Sequence, residues 1–104
     1  QRSWMRDVKR MDLKDTIKEE IIELAKTYGL TKVILFGSRA RGDNAPRSDI
    51  DLAVSGGDIV GFRTDIDEVV RTLLMFDVVD LDGPVQDELL GSIRDEGILL
   101  YEKI

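Results

Sequence analysis

Apolar residues along the chain fall into two alternating rhythms. Leu13, Ile17, Ile21, Leu24 and Tyr28 recur at intervals of four, four, three and four, one stripe of an amphipathic helix with Lys and Glu on its other side, and Gly29 follows as a C-terminal cap. KVILF (Lys32–Phe36) is short, apolar and β-branched and is stopped by Gly37, which predicts a buried strand. GDNAPRS is loop by composition. DIDLAV (49–54) then alternates, placing Asp49, Asp51 and Ala53 on one strand face and Ile50, Leu52 and Val54 on the other. SGGD turns the chain into a second helical stripe, Ile59, Phe62, Ile66, Val69 and Leu73. MFDVVDL (75–81) predicts a third strand, Leu89, Leu90 and Ile93 a last helix ended by Gly97, and ILLY (98–101) a closing strand. The order α-β-β-α-β-α-β predicts an α/β (α+β) domain over 12–104, a single mixed sheet of about four strands covered by helices. The first two strands could pair either way. QRSWMRDVKR has no clean period, so residues 1–11 are expected to be a flexible arm or an expression remnant.

Composition narrows the chemistry. The chain has 104 residues, 42% of them apolar, enough for one folded domain. It has no run of 18 apolar residues, so no membrane span is expected, and no charged-then-apolar leader suggests export, while the absence of cysteine fits a cytoplasmic protein. Cysteine and histidine are both absent, which removes thiolate and imidazole chemistry and leaves oxygen as the only strong metal ligand. That favours Mg²⁺, Mn²⁺ or Ca²⁺.

The net charge of −6 is unevenly spread. Residues 1–48 carry eleven Lys and Arg against seven Asp and Glu, whereas residues 49–104 carry four against fourteen. The acidic body argues against extended nucleic-acid binding, while a local basic loop can still hold a phosphorylated ligand.

The chemistry concentrates in FGSRARGDNAPRSDIDLAV (36–54). Asp49 and Asp51, two apart on a strand, point the same way with Cα atoms about 6.5 Å apart, so they can share one cation or bridge two. Without a cation, two crowded carboxylates repel. Gly37 permits close approach of a ligand, and a helical turn starting at Ser38 would offer N–H groups and a hydroxyl to an anion. Arg39, Arg41 and Arg47 lie between these elements, with one or two of them expected on phosphate. The RGD tripeptide (41–43) is too short a signal to indicate adhesion. A third carboxylate is available at Asp77, Asp80 or Asp82, and periodicity does not choose between Asp77 and Asp80. Asp65 and Asp67 also spell DxD but fall in the second helical stripe, where residues two apart diverge by about 200°; they are expected to be solvated helix surface.

Gly37-Ser38, ten residues, then Asp49-Ile50-Asp51 resembles the GS-x10-DxD signature of the polymerase-β-like nucleotidyltransferase superfamily. The flanking ILFGSRARG and SDIDLAV resemble its minimal members, including MntA-type antitoxins. In that family a third aspartate follows a hydrophobic residue and precedes two more, as in Phe76-Asp77-Val78-Val79, so the resemblance favours Asp77, with Asp80 second. It implies transfer of a nucleoside monophosphate, most often AMP from ATP, to an acceptor hydroxyl. Asp49, Asp51 and Asp77 would hold two Mg²⁺ (or Mn²⁺) ions, and Gly37 and Ser38 would grip the β- and γ-phosphates with Arg39 or Arg41. It further implies a HEPN-type toxin as partner and acceptor. A purely steric antitoxin is the rival reading, and transfer to a small molecule a third. An exposed sheet edge or helix face would permit a homodimer, though no heptad or apolar patch marks one.

Overall fold

The structure, a computed structural model, describes residues 11–70 and 72–104. Residues 1–10 of the arm expected over 1–11 lie outside the described residues, and Met11, its last residue, packs against the core instead. In chain order the elements are α1 (Asp15–Thr27), β1 (Lys32–Phe36), α2 (Ser38–Arg41), β2 (Ile50–Ser55), α3 (Ile59–Val69), β3 (Phe76–Asp80), α4 (Asp87–Glu96) and β4 (Ile98–Glu102). Among the described residues the strands form one sheet in the order β3-β2-β1-β4. β1 runs antiparallel to both β2 and β4, with an irregularity between Val33 and Ile34 on the β4 side, and β2 and β3 are parallel. The sheet is mixed because α3 separates β2 from β3: a helix carries the chain back to the starting end of the sheet, which a tight turn cannot do.

α1 forms where its stripe predicts and ends as Gly29 predicts. Gly29 has φ +68°, and its N–H bonds to the Lys26 carbonyl while that of Leu30 bonds to Ala25, a Schellman closure. Leu13 is buried ahead of the helix. α3 is capped at its start by Asp58, whose Oδ1 accepts from the Gly61 N–H at 3.0 Å. It stops earlier than its stripe suggests. Val70 turns extended (φ −78°, ψ 126°), and Leu73, the expected last member, is fully exposed.

The two sheet faces are covered unequally. Val33, Leu35, Ile50, Leu52, Val54 and Val78 pack under Ile17, Ile21 and Leu24 of α1 and Ile59, Phe62 and Ile66 of α3, the main core. On the other face Ile34, Phe36, Ala53 and Val79 meet Ile93 and Leu89 of α4. Burial of these apolar surfaces at about 25 cal/mol per Å² is what holds the layers together. Because α4 covers only part of the second face, a polar row can exist at its margin. The candidate site lies there.

Candidate active site

Strand register assembles the site. Phe36 pairs with Asp51 across the antiparallel β1–β2 ladder, and Asp51 pairs with Asp77 across the parallel β2–β3 ladder. Paired residues share a face, so Phe36, Asp51 and Asp77 form one row, about 4.8 Å per strand. The next row, Ile34, Ala53 and Val79, is the one packed with Ile93 and Leu89 under α4. The carboxylates therefore stand one row beyond the apolar cover.

The same register separates Asp77 from Asp80. Asp80 pairs with Val54 at the far end of β3 and on the opposite face. Its Oδ1 accepts the Asp82 N–H at 2.8 Å, closing a turn, and Asp82 in turn accepts the Gly56 N–H at 2.7 Å, tying the end of β3 to the turn after β2. Asp49 lies one residue ahead of β2 and is exposed, a small departure from the predicted strand start.

Gly37 is needed at its position for two reasons. It enters α2 with φ +76°, where a side chain would be strained, and a Cβ built there would lie 2.3 Å from Asp51 Oδ2. The missing side chain is the space that the Asp51 carboxylate occupies. Burial pushes the Asp51 carboxyl up to about 6, Asp77 and then Asp49 push in the same direction, and Arg41 opposes them. The residues fit a hard divalent cation: the donors are all oxygen, and the negative charge of Asp51 is only partly relieved by Arg41. Among the described residues no ready cage of three acidic side chains is formed; the backbone sets Asp51 and Asp77 side by side, and rotation about their χ angles would have to bring their oxygens to one centre.

The raised pKa fixes the direction of a pH effect. The folded state holds the Asp51 proton more tightly than the unfolded chain, so this group's contribution is complete below about pH 4 and is lost as the pH rises through about 6. The metal-free protein should therefore melt lower at pH 7.5 than Asp51→Asn does, and the gap should narrow as the pH falls through about 6 and close only below about pH 4. A gap independent of pH would show that Asp51 is not under this strain.

Arg39 is not brought to the carboxylates. It is 4% exposed, and its Nε, Nη1 and Nη2 donate to the carbonyls of Ser48 (3.0 Å), Asp12 (3.2 Å) and Pro46 (3.0 Å). The expectation of a phosphate-binding Arg39 is corrected: its donors face the wall of the loop that leads into β2. Nothing in the sequence distinguished it from Arg41, because in a four-residue helix periodicity does not mark an inner face. Arg41 is the cation near Asp51, while Arg47 is exposed in the loop.

Two partners of Arg41 carry no signal in the sequence. Its Nε donates to Asp43 Oδ2 at 3.0 Å and its Nη1 to both carboxylate oxygens of Glu96 at 2.9 Å. The second DxD pair lies in α3, as its helical stripe predicts, but is not merely solvated. Asp65 accepts the Tyr28 hydroxyl, and Asp67 accepts the Phe76 N–H at 3.2 Å, fixing the start of β3 one residue before Asp77.

The arrangement has counterparts in known proteins. Residues 19–104 match the family described as "Polymerase beta, Nucleotidyltransferase". A Methanocaldococcus jannaschii protein named "Putative protein adenylyltransferase MJ0604" is 35% identical over 103 residues, 88% of this chain and 100% of that one. A chain from a toxin-antitoxin crystal structure with AMP-PNP superposes with a TM-score of 0.68 at 26% identity, covering 83% of this chain and 73% of that one. A chain from a mutant of the toxin-antitoxin MntA-HpeT gives 0.67 at 25% identity, with the same coverage. The mixed sheet, with a Gly-Ser turn after β1 and acids at the heads of β2 and β3, thus occurs in a chain whose sequence matches that family over most of its length. It belongs to the polymerase β nucleotidyltransferases and is a nucleotidyltransferase.

Proposed function

We propose that the protein transfers the adenylyl group of ATP to a hydroxyl on a partner protein, a HEPN-type toxin, and thereby acts as an antitoxin. The observation that carries the reading is the Asp51–Asp77 register beside the space left by Gly37, since it sets two carboxylates side by side at a strand end where Asp77 is exposed. The similarity to toxin-antitoxin chains, one of them with AMP-PNP, and to a relative named as a protein adenylyltransferase supports the nucleotide and the class of acceptor.

In this reading Asp49, Asp51 and Asp77 hold two Mg²⁺ ions, with Mn²⁺ as a substitute. Bound there, the ions supply neutralisation of phosphate charge and a lowered pKa for the acceptor hydroxyl. Gly37 and Ser38 lie against the β- and γ-phosphates, and Arg41 holds a phosphate oxygen through its guanidinium fork. The acceptor oxygen attacks the α-phosphorus as the bond to the β-phosphate oxygen breaks and pyrophosphate leaves. The hydroxyl proton passes to the carboxylate of Asp77, which stands on the edge strand β3 and is exposed, and from there to water. With no histidine in the chain, a carboxylate is the available proton acceptor.

A steric antitoxin is the second reading, favoured by the fourteen acids against four bases in residues 49–104, which would complement a basic surface. Intact-mass spectrometry of a purified HEPN partner, incubated with the protein, ATP and Mg²⁺, separates the two. The expected result is a gain of whole AMP units on the partner. A stable complex with unchanged partner mass would support steric neutralisation instead.

A further inference from the structure

We propose that Glu96 and Asp43 are positioning residues for Arg41, holding its guanidinium across the mouth of the carboxylate site so that its remaining edge meets the nucleotide's phosphates. This rests on the nucleotide-binding reading above.

Two of the three guanidinium nitrogens are engaged: Nε by Asp43, and Nη1 by both oxygens of Glu96. Among the described residues Nη2 has no hydrogen-bond partner. Because the guanidinium is planar and rigid, contacts at Nε and Nη1 fix its plane and therefore the direction of Nη2. Arg41 without them would be a long, half-exposed side chain sampling many rotamers, and a phosphate would have to order it on binding.

The two carboxylates are themselves held by structure. Asp43 follows Gly42, whose left-handed conformation (φ +84°) closes α2. Glu96 is the last residue of α4, and the helix end is pressed against β1. A Cβ at Gly97 would lie 2.3 Å from the Ile93 carbonyl oxygen and 2.7 Å from Ile34 Cγ2, so only glycine allows the approach. Arg41 itself leaves α2 one turn after Gly37, its N–H donating to the Gly37 carbonyl at 3.2 Å, which places it beside the Asp51 carboxylate. The contact thus joins α2 and α4, 55 residues apart, on the sheet face that carries Asp51 and Asp77.

Fold stability does not account for the pair. The side chains of Arg41 and Glu96 are 41% and 29% exposed, and ion pairs of that exposure contribute little to folding. Orientation of a ligand-binding cation is an effect that a weak, geometrically exact contact can have.

The experiment is titration of Mg²⁺ and AMP-PNP, by calorimetry, into the wild type, Glu96→Ala, Arg41→Ala and the double variant, with melting temperatures measured alongside. Glu96→Ala is expected to weaken nucleotide binding about five- to tenfold with the melting temperature unchanged. In the Arg41→Ala background it should have no further effect, because the residue it positions is gone. Unchanged or tighter binding by Glu96→Ala would overturn the proposal, the second outcome showing that Glu96 competes with phosphate for Arg41. Additive losses in the double variant would also overturn it. If the wild type binds no nucleotide, the nucleotide-binding reading itself fails, which the titration distinguishes from failure of the positioning role.

Discussion

Asp51→Asn is expected to abolish nucleotidyl transfer while raising the melting temperature of the metal-free protein. The two effects share one cause. Asp51 is crowded by burial and by Asp77 and Asp49, and its carboxyl is pushed up to about 6. A shift of that size would correspond to about 3 kcal/mol if the group were fully shielded. It is half-buried, and screening reduces the figure to about 1 kcal/mol. In a domain of this length that corresponds to about 4–8 °C. Asparagine keeps the shape beside Gly37 and removes the charge, so the repulsion with Asp77 disappears. In the proposed reading the same charge would bind the cation. Metal-based stabilisation of transition-state charge amounts to several kcal/mol, and each 1.36 kcal/mol is tenfold, so transfer should fall by at least about 10³-fold. Two readouts check this: adenylylated partner by intact mass, and thermal melting at pH 7.5 with and without Mg²⁺. The wild type should gain stability on adding Mg²⁺ and the variant should not. Lost activity combined with a lowered melting temperature would mean that Asp51 is a structural residue whose removal damages the fold.

Much of this site was legible in the sequence because two of its determinants are local. Alternation over 49–54 places Asp51 opposite Ile50 and Leu52 without knowledge of any partner strand, and Gly37 marks the end of β1 by ending an apolar run. The choice between Asp77 and Asp80 was not local. Both acids belong to one strand and alternate faces, so only the register against β2 shows which stands beside Asp51. Strand order was hidden for the same reason, because the parallel β2–β3 pairing depends on how α3 packs. The end of α3 was overestimated since Leu73 continues the period of the stripe while the backbone at Val70 has already turned extended. Asp65 and Asp67 fall in a helix, as the stripe predicts, but their bonds to Tyr28 and to the Phe76 N–H bridge distant elements. Glu96 was invisible as a partner of Arg41 on the same grounds.

Arg39→Ala is expected to be the most destabilising of these substitutions, and its effect on activity should be indirect. The three carbonyls it serves, of Asp12, Pro46 and Ser48, lie on two segments that its side chain joins: the entry to α1 and the loop that ends at Asp49. Truncation leaves those carbonyls without their donors and opens a void beneath the loop. Asp12 and Pro46 are exposed and Ser48 is half-buried, so water can reach their carbonyls and the penalty of about 1–3 kcal/mol for a polar group left unsatisfied is only partly incurred. With the void left by the buried side chain the loss should be about 2 kcal/mol, still a sizeable share of a total that rarely exceeds about 15 kcal/mol. Arg39→Lys should recover little of it, because one ammonium cannot reproduce a planar fork that reaches three carbonyls. Urea unfolding should show a lowered midpoint at constant slope for both variants, with faster hydrogen exchange at the Ser48 amide, which bonds to Ala45 inside the same loop. If Arg39 instead served a phosphate, Arg39→Ala would keep its urea midpoint and lose affinity for Mg²⁺ and AMP-PNP. The two arginines of the SRAR turn are thus separable by measurement. Arg39 should change folding first and binding only through the displaced Asp49, whereas Arg41 should change binding while leaving the midpoint where it is.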